Sequence, residues 1–541
     1  MKTKKSDISR KLSHVLTAAC VLFLLCGIVC GAVSAHDGSD AVTRAAWTDS
    51  TKLPTSGDYY LDTDVVVSDE QKVDGTLNLD LNGHVISRSP DIDPSVKFSL
   101  INVPEGMTLN LSDSGSTPHW FAYVKKETPW SLLSEEPVAG EGDIKYSFLS
   151  DFNIRDAYSA VSSGHKVYVK LLGGCITGGL AKDGGGIINY GTFSMSGGNI
   201  VGNNACRTGD SFGGGVSNEM TGFFSMSGGN IVGNSATASH SHGGGVSTLS
   251  RFIMTSGVIA GNYTPDGGGG VYLGEGVVFD MSGDALITDN VADPATKGEA
   301  GGIQCYGGTL NLSGYAKVTR NIADIDGGVL DNSILHMSDH ASVTDNYAFG
   351  DSPISAGGVY CSMTLTFSGS PVIKDNFKYV DGKPVACDVY LLELKDNKSY
   401  LTVTGKLEPG CEIHIAEPLT GQFGQSDGKY TIVASDAACF HPNSGELHAV
   451  IKNGETGQIL VWENGPAPKP HKSKSQGSSI LLTATPTPVP TVTPTVEPTA
   501  TQMPMPTSSP VKPTETAKSP VPFIGILTGL GAAAVALRFR K

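Results

Sequence analysis

The stretch Gly214-Gly215-Val216, then Phe224-Ser225-Met226, then Ile231-Val232-Gly233-Asn234, is one unit of a pattern that recurs through the middle of the chain. The Gly-Gly-apolar step returns at Gly186-Ile187, Gly215-Val216, Gly245-Val246, Gly270-Val271, Gly302-Ile303, Gly328-Val329 and Gly358-Val359, at intervals of 29, 30, 25, 32, 26 and 30 residues. An asparagine keeps step with it, at Asn203, Asn234, Asn262, Asn290, Asn321, Asn346 and Asn376, at intervals of 31, 28, 28, 31, 25 and 30. Between the two lies a third element that alternates apolar and mostly polar residues: Phe193-Ser194-Met195, Phe252-Ile253-Met254, Phe279-Asp280-Met281, Leu310-Asn311-Leu312, Leu335-His336-Met337 and Leu365-Thr366-Phe367. Period-two alternation marks strands with one buried face.

Three short strands cannot bury a core alone. Stacked units can, each pairing with the next at about 4.8 Å so that like side chains pile on like. The sequence therefore predicts an all-β chain, a right-handed parallel β-helix with three strands per coil. A helical solenoid needs apolar spacings of three and four. A propeller blade needs about 40 residues and four strands. The variable lengths fall in polar stretches, 206–212 and 235–242, which read as surface loops. In this scheme the asparagines bond the backbone and one another through a bend. The paired glycines supply dihedrals closed to other residues.

The coupling of Gly-Gly-[Ile/Val] to [Ile/Val]-x-x-Asn over residues 182–376 resembles the repeats of polymorphic outer-membrane proteins and adhesin-like β-helix proteins. In that family the second motif usually opens with Phe. Here Ile or Val stands there, as in Ile200-Val201-Gly202-Asn203. The resemblance implies a cell-surface rod that binds rather than catalyses.

The rest of the chain frames that body. Residues 1–35 read as a secretory leader, with Lys2, Lys4, Lys5, Arg10 and Lys11 before an apolar run and Val33-Ser34-Ala35 before a mature start at His36. Residues 36–181 hold the first coils, as at Leu77-Asn78-Leu79-Asp80-Leu81, and an interruption at 114–160 carrying Trp120, Phe121 and Trp130. That interruption reads as a capping loop for the open end of the stack or a small insertion, or else as a groove lined by its aromatics. Residues 377–464 read as closing coils, with strands at Val389–Leu392, Leu401–Val403, Ile413–Ile415, Tyr430–Val433 and Ile459–Trp462. Residues 465–520 form a Pro/Thr-rich stalk of 56 residues, able to reach roughly 170 Å in an extended conformation. Residues 521–541 are an apolar segment, Pro522 to Leu537, ending in Arg538-Phe539-Arg540-Lys541. Stalk, short apolar segment and basic end resemble the sorting tails of archaeal, methanogen-type surface proteins. The resemblance implies an extracellular protein held to the membrane or envelope by its carboxyl end. Asn110, Asn262, Asn311 and Asn397 are glycosylation sequons, of which Asn262 belongs to the repeat and is expected to point inward.

Chemistry is sparse. The net charge is −15, and removal of the leader, with five basic residues and one acidic, takes it to −19, which excludes nucleic acid as a partner. The implied partner is an unspecified surface ligand, a glycan or another cell. Asp183, Asp266 and Asp326 each precede a glycine run but do not sit in consecutive coils, while Asp289, Asp345 and Asp375 each precede a repeat asparagine, Asp345 and Asp375 in adjacent coils, an arrangement that reads as solvated surface acids or else as a Ca²⁺ site. His240 and His242 flank Ser241 without further metal ligands nearby in sequence. Seven cysteines follow the leader: Cys175, Cys206, Cys305, Cys361, Cys387, Cys411 and Cys439. Cys305 and Cys361 share a repeat position but stand two coils apart, about 9.6 Å, beyond the roughly 7 Å reach of a disulfide. No catalytic, cofactor or metal residue is assigned. The competing reading is a carbohydrate-active lyase or hydrolase with paired carboxylates near Trp120 and Trp130.

Overall fold

A computed structural model describes residues 44–465, apart from 208, 333, 351, 395–396, 417–420, 444–446 and 456. The leader, the stalk beyond residue 465 and the apolar tail lie outside the described residues. The described chain is all-β, and parallel pairing dominates it. Its helices are Ile154–Ser162 and a single turn at Ala434–Ala437, with a 3₁₀ turn at Pro294–Thr296.

Each repeat pairs with its own counterpart in the next. In the first strand, Ile101, Ile187, Val216, Val246, Val271, Ile303, Val329, Val359 and Val389 stand opposite one another in succession. In the second, Leu77, Leu109, Phe193, Phe224, Phe252, Phe279, Leu310, Leu335, Leu365 and Leu401 do the same. In the third, Ile176, Ile200, Ile231, Ile259, Ile287, Val318, Val343 and Ile373 align. All of these side chains are buried in one core, and each burial is worth about 1.5–3 kcal/mol. Phe193, Phe224, Phe252 and Phe279 stack with centroids 4.8, 4.5 and 4.4 Å apart. Ring upon ring at this spacing is what in-register parallel strands impose on an identical residue.

The asparagines form a continuous ladder. Both the main-chain N–H and the Nδ2 of Asn203 donate to Oδ1 of Asn234, each at 3.0 Å. The same double bond repeats from Asn234 to Asn262, and onward through Asn290, Asn321 and Asn346 to Asn376. Asn376 makes both bonds to Asp388 instead, at 2.7 Å each, and Asn443 Nδ2 donates to the other oxygen of that carboxylate. Burial pushes Asp388 above the usual carboxylate range, while the bonds from Asn376 and Asn443 and the nearby His414 hold it down. The inward orientation expected of Asn262 is observed.

The glycines have a different role from the one expected. Gly185 and Gly186 lie outside the left-handed region. A Cβ on Gly185 would stand 2.5 Å from the carbonyl oxygen of Gly214, and one on Gly186 would stand 2.8 Å from that of Gly215. The glycine pair is thus required by the close approach of neighbouring repeats. Left-handed backbone falls at two other positions. One precedes the pair: Gly184, Gly213, Gly243, Gly268, Ala300 and Asp326. The other precedes the ladder asparagine: Gly202, Gly233, Gly261, Asp289, Arg320, Asp345 and Asp375.

Each repeat also carries a fourth pairing segment, just after the asparagine, as at Asn204–Ala205, Ser235–Ala236 and Tyr263–Thr264. These segments form their own parallel array from Leu180–Ala181 to Phe377–Val380, which Lys383–Ala386 closes antiparallel. Two residues are too few to show alternation, so the sequence reads as three strands. The expected surface loops pair as well: Asp210–Phe212 lies parallel to His240–His242.

The interruption does not cap an end. Pro118–Tyr123, Ser131–Leu133, Ile144–Ser147 and Val167–Leu172 form a separate four-stranded sheet. Together with helix Ile154–Ser162, which Asn153 caps, this sheet packs against the third-strand side of several repeats, from Val201 to Ile322. In the closing region Val389–Leu391, Tyr400–Leu407 and Glu412–Ile415 form strands close to those expected, and Gln458–Asn464 pairs antiparallel with Leu447–Asn453. Residues 430–433 are not a strand. Ile432 N donates to Gln458 Oε1 and Val433 N to Asp436 Oδ2, so side chains take bonds that a ladder would need.

Candidate functional site

The flank where the insertion meets the stack holds most of the buried polar chemistry. Trp130 is 2% exposed. Its ring lies over Gly233 and Gly261, where a Cβ would come within 2.2 and 2.6 Å of ring atoms. Two left-handed glycines of the ladder column thus form a flat strip for one indole. The same column continues as Asp289 and Arg320. Asp289, 1% exposed, accepts from Ile154 N at 3.0 Å and from Arg320 Nε and Nη2 at 3.1 and 2.5 Å. Asp293 accepts from Lys126 Nζ, Tyr158 Oη and Tyr263 Oη at 3.2, 3.1 and 2.9 Å. These two carboxylates pin the insertion to the repeats. Asp289, expected as a solvated acid, is therefore a buried structural group, whereas Asp345 and Asp375 are exposed as expected.

Two clefts flank the insertion. One, of 310 Å³, is bordered by Phe148, Asn153, Val258, Asp289 and Arg320, and its ion pair is already satisfied. The other, of 560 Å³, is bordered by Arg88, Trp130, Ser131, Thr177, Leu180 and Asn204. It differs in its polar balance. Trp130 Nε1 and Arg88 Nη1 are buried donors without an acceptor. Arg88 is held over the Phe98 ring at 4.5 Å, and its Nη2 donates to the carbonyls of Asp93 and Val96 at 3.1 and 2.6 Å. Trp120, the other aromatic singled out in the sequence, is half-buried and covered by the ammonium groups of Lys145 and Lys170, 4.5 and 5.7 Å from its ring.

A second polar region lies on the wall before the glycine pairs. Asp183, Asp266 and Asp326 do not share a repeat position. Backbone bridges align His242 with Gly267, Gly267 with Glu299 and Glu299 with Ile325. Asp266 stands one residue before this column and Asp326 one after it. Their apparent alignment arises because glycine runs of different lengths follow them. Glu299, which sequence reading passed over, is the acid of the column, and Gln304 Nε2 donates to it at 3.2 Å. Burial raises Glu299, and the charge of Asp266 adds to the effect. Burial pushes Asp326 well above the usual carboxylate range against a 2.7 Å bond from Ala356 N, and its Oδ2 has no partner. His242 stacks between Phe212 and Tyr272, at 5.7 and 4.5 Å, and burial holds it below the usual imidazole range. His240 is exposed, 3.7 Å from Asp266. Among the described residues no group of three or more His, Cys, Asp or Glu is placed to hold a metal ion.

Aligning the residues that precede each left-handed position would have exposed the His242–Glu299 column in the sequence. Nothing in the sequence signals Arg88, whose cleft is made by the insertion. No helix among the described residues is long and apolar enough to cross a membrane. No protein-family model, curated protein or solved structure matches the chain.

Proposed function

We propose that this chain is a cell-surface anchored protein whose stacked repeats form a right-handed parallel β-helix rod, and that it binds an extracellular glycan in the cleft beside Trp130 without catalysis. The repeat-to-repeat parallel register and the unbroken asparagine ladder support the rod. The leader, the Pro/Thr stalk and the apolar tail with its basic end support export and anchoring.

The observation that carries the binding reading is the pair of orphaned donors, Arg88 Nη1 and Trp130 Nε1, bordering one 560 Å³ cleft. A buried donor without an acceptor costs about 1–3 kcal/mol. A ligand dense in oxygen acceptors relieves that cost once a small shift of either side chain turns its donor into the cleft, and the partly exposed Leu132 and Leu180 offer apolar surface to a sugar ring. The test is a glycan array probed with the full chain, followed by titration of the best binder. Arg88→Lys keeps the charge but removes the fork of donors, and weakens binding at least about tenfold, the worth of one charge-assisted bond. Absence of any glycan binding, or binding indifferent to Arg88→Lys, overturns the reading.

A carbohydrate-active enzyme has one observation in its favour, the raised carboxyls of Glu299 and Asp326 in successive repeats. Release of reducing ends from a polysaccharide panel, abolished in Glu299→Gln, would establish it in place of passive binding.

A further inference from the structure

Cys411 and Cys439, both thiols in this structure, meet in the closing region. Cys411 leads directly into the strand Glu412–Ile415, which pairs in parallel with Phe440–Pro442, Ile413 standing opposite Phe440. Ile413 N donates to the carbonyl of Cys439 at 2.9 Å, which places Cys439 alongside the start of the Cys411 strand. Cys439 Sγ donates to the carbonyl of Ser435 at 3.5 Å, and the two sulfurs lie near enough for each thiol to shift the other's acidity. Both side chains are 8% exposed and belong to the main core. Two other buried thiols point elsewhere: Cys175 to the Gly173 carbonyl and Cys387 to that of Ser355. Cys305 and Cys361 are separated by the strand of Asp331, as their repeat positions require.

We propose that Cys411 and Cys439 are joined by a disulfide in the mature protein, clasping the closing region of the stack. With Ile413 opposite Phe440, Cys439 falls beside Glu412, one residue on from Cys411, a diagonal of about 6 Å between strands about 4.8 Å apart, inside the span a disulfide bridges. The place is also where a clasp has most to do. The asparagine ladder ends at Asp388, the glycine pairs end at Gly358, and an open end of a stack is where local unfolding begins. The bond closes a segment between residues 28 apart in sequence, so it also restricts the unfolded chain.

The chemistry needs a disulfide-bearing oxidant, low-molecular-weight or protein. One cysteine thiolate attacks a sulfur of that oxidant and expels the other sulfur as a thiolate. The second cysteine thiolate attacks the mixed disulfide, forms Sγ–Sγ and expels the remaining sulfur. The two protons lost by the cysteines end on the oxidant's two sulfurs, which leave reduced. The interaction with Cys411 lowers Cys439, and the interaction with Cys439 together with burial raises Cys411. Because both sulfurs are nearly buried, closure takes place while the closing region folds. The export reading bears only on where the oxidant is met.

The test uses the full chain refolded from denaturant in a mixture of oxidised and reduced glutathione, then alkylated in denaturant without reductant and mapped by mass spectrometry. The expected result is a peptide pair linked through Cys411 and Cys439, lost on reduction, with neither cysteine alkylated. Full alkylation of both, or a different pair joined in their place, overturns the proposal. The experiment needs no variant and no secretion, so its outcome stands apart from that of the surface reading. A bond that closes in glutathione but is missing from chain recovered from cells would count against export and leave the geometry intact.

Discussion

The repeats and the insertion solve the same problem by opposite means. In the repeats the core and ladder columns match residue to like residue from the next unit: Phe224 meets Phe252, Asn234 meets Asn262, Val246 meets Val271. In the insertion each buried group meets something unlike itself: Trp130 meets two glycines, Asp289 meets Ile154 N and Arg320, Tyr158 meets Asp293. Self-matching writes itself into the sequence as a period. Cross-matching leaves no period, so the partner surface cannot be read in advance. The contrast also predicts how each part fails. Damage in the repeats propagates along a column, and damage at the insertion stays local.

The sharpest way to break the comparison is in the ladder. Asn290→Ala removes the Oδ1 that receives Asn262 N and Nδ2 and the Nδ2 that donates to the carbonyls of Ile259 and Thr288. At about 1–3 kcal/mol per orphaned group, the expected loss is about 4 kcal/mol. It should appear in denaturant unfolding as a lowered midpoint for the whole repeat region. A loss confined to one or two repeats by hydrogen exchange would contradict column-wise coupling.

A smaller and local effect is expected at the insertion. Asp289→Ala leaves Ile154 N unpaired and Arg320 without its carboxylate. Because Arg320 is about two-fifths exposed, solvent compensates part of that, and about 2 kcal/mol is lost. Limited proteolysis should cut between residues 118 and 172 faster while the repeats stay resistant. Uniform cleavage throughout the chain would show the two regions to be one cooperative unit.

The smallest effect is a slope with pH. Asp326 titrates well above its unfolded value of about 3.9 because it is buried. The folded state therefore holds the proton where the unfolded state has released it. Its contribution is fully present below the unfolded pKa and is lost as pH rises through the folded one. Asp326→Asn should flatten that decline, so the variant gains on the parent as pH rises above about 4. Parallel stability curves for parent and variant would remove Asp326 as a source of the slope.

Much of this architecture was legible. The alternation in Phe-x-Met, the glycine pairs and the asparagines located the strands, the ladder and the parallel pairing between repeats, because each is a column residue repeated in kind. The two-residue fourth segment was not legible, being shorter than any period. Asp388 and Asn443 end the ladder with other residue types, so the motif hides them. The cleft of Arg88 and Trp130 was illegible for a further reason: its two donors lie 42 residues apart, one on the stack and one on the insertion, and only the fold brings them to one cleft.

The most direct test of in-register stacking is a set of spin-label distances along one column. Asn78, Asn110, Ser194, Ser225, Ile253, Asp280, Asn311, His336, Thr366 and Thr402 stand opposite one another in order. With labels at Ser194 and His336, five steps apart, the expected separation is about 24 Å. With labels at Ser194 and Thr402, seven steps apart, it is about 34 Å, at about 4.8 Å per step. Distances that rise in proportion to the number of steps bear out the stack. Distances that ignore it, with Thr402 as near to Ser194 as His336 is, contradict it.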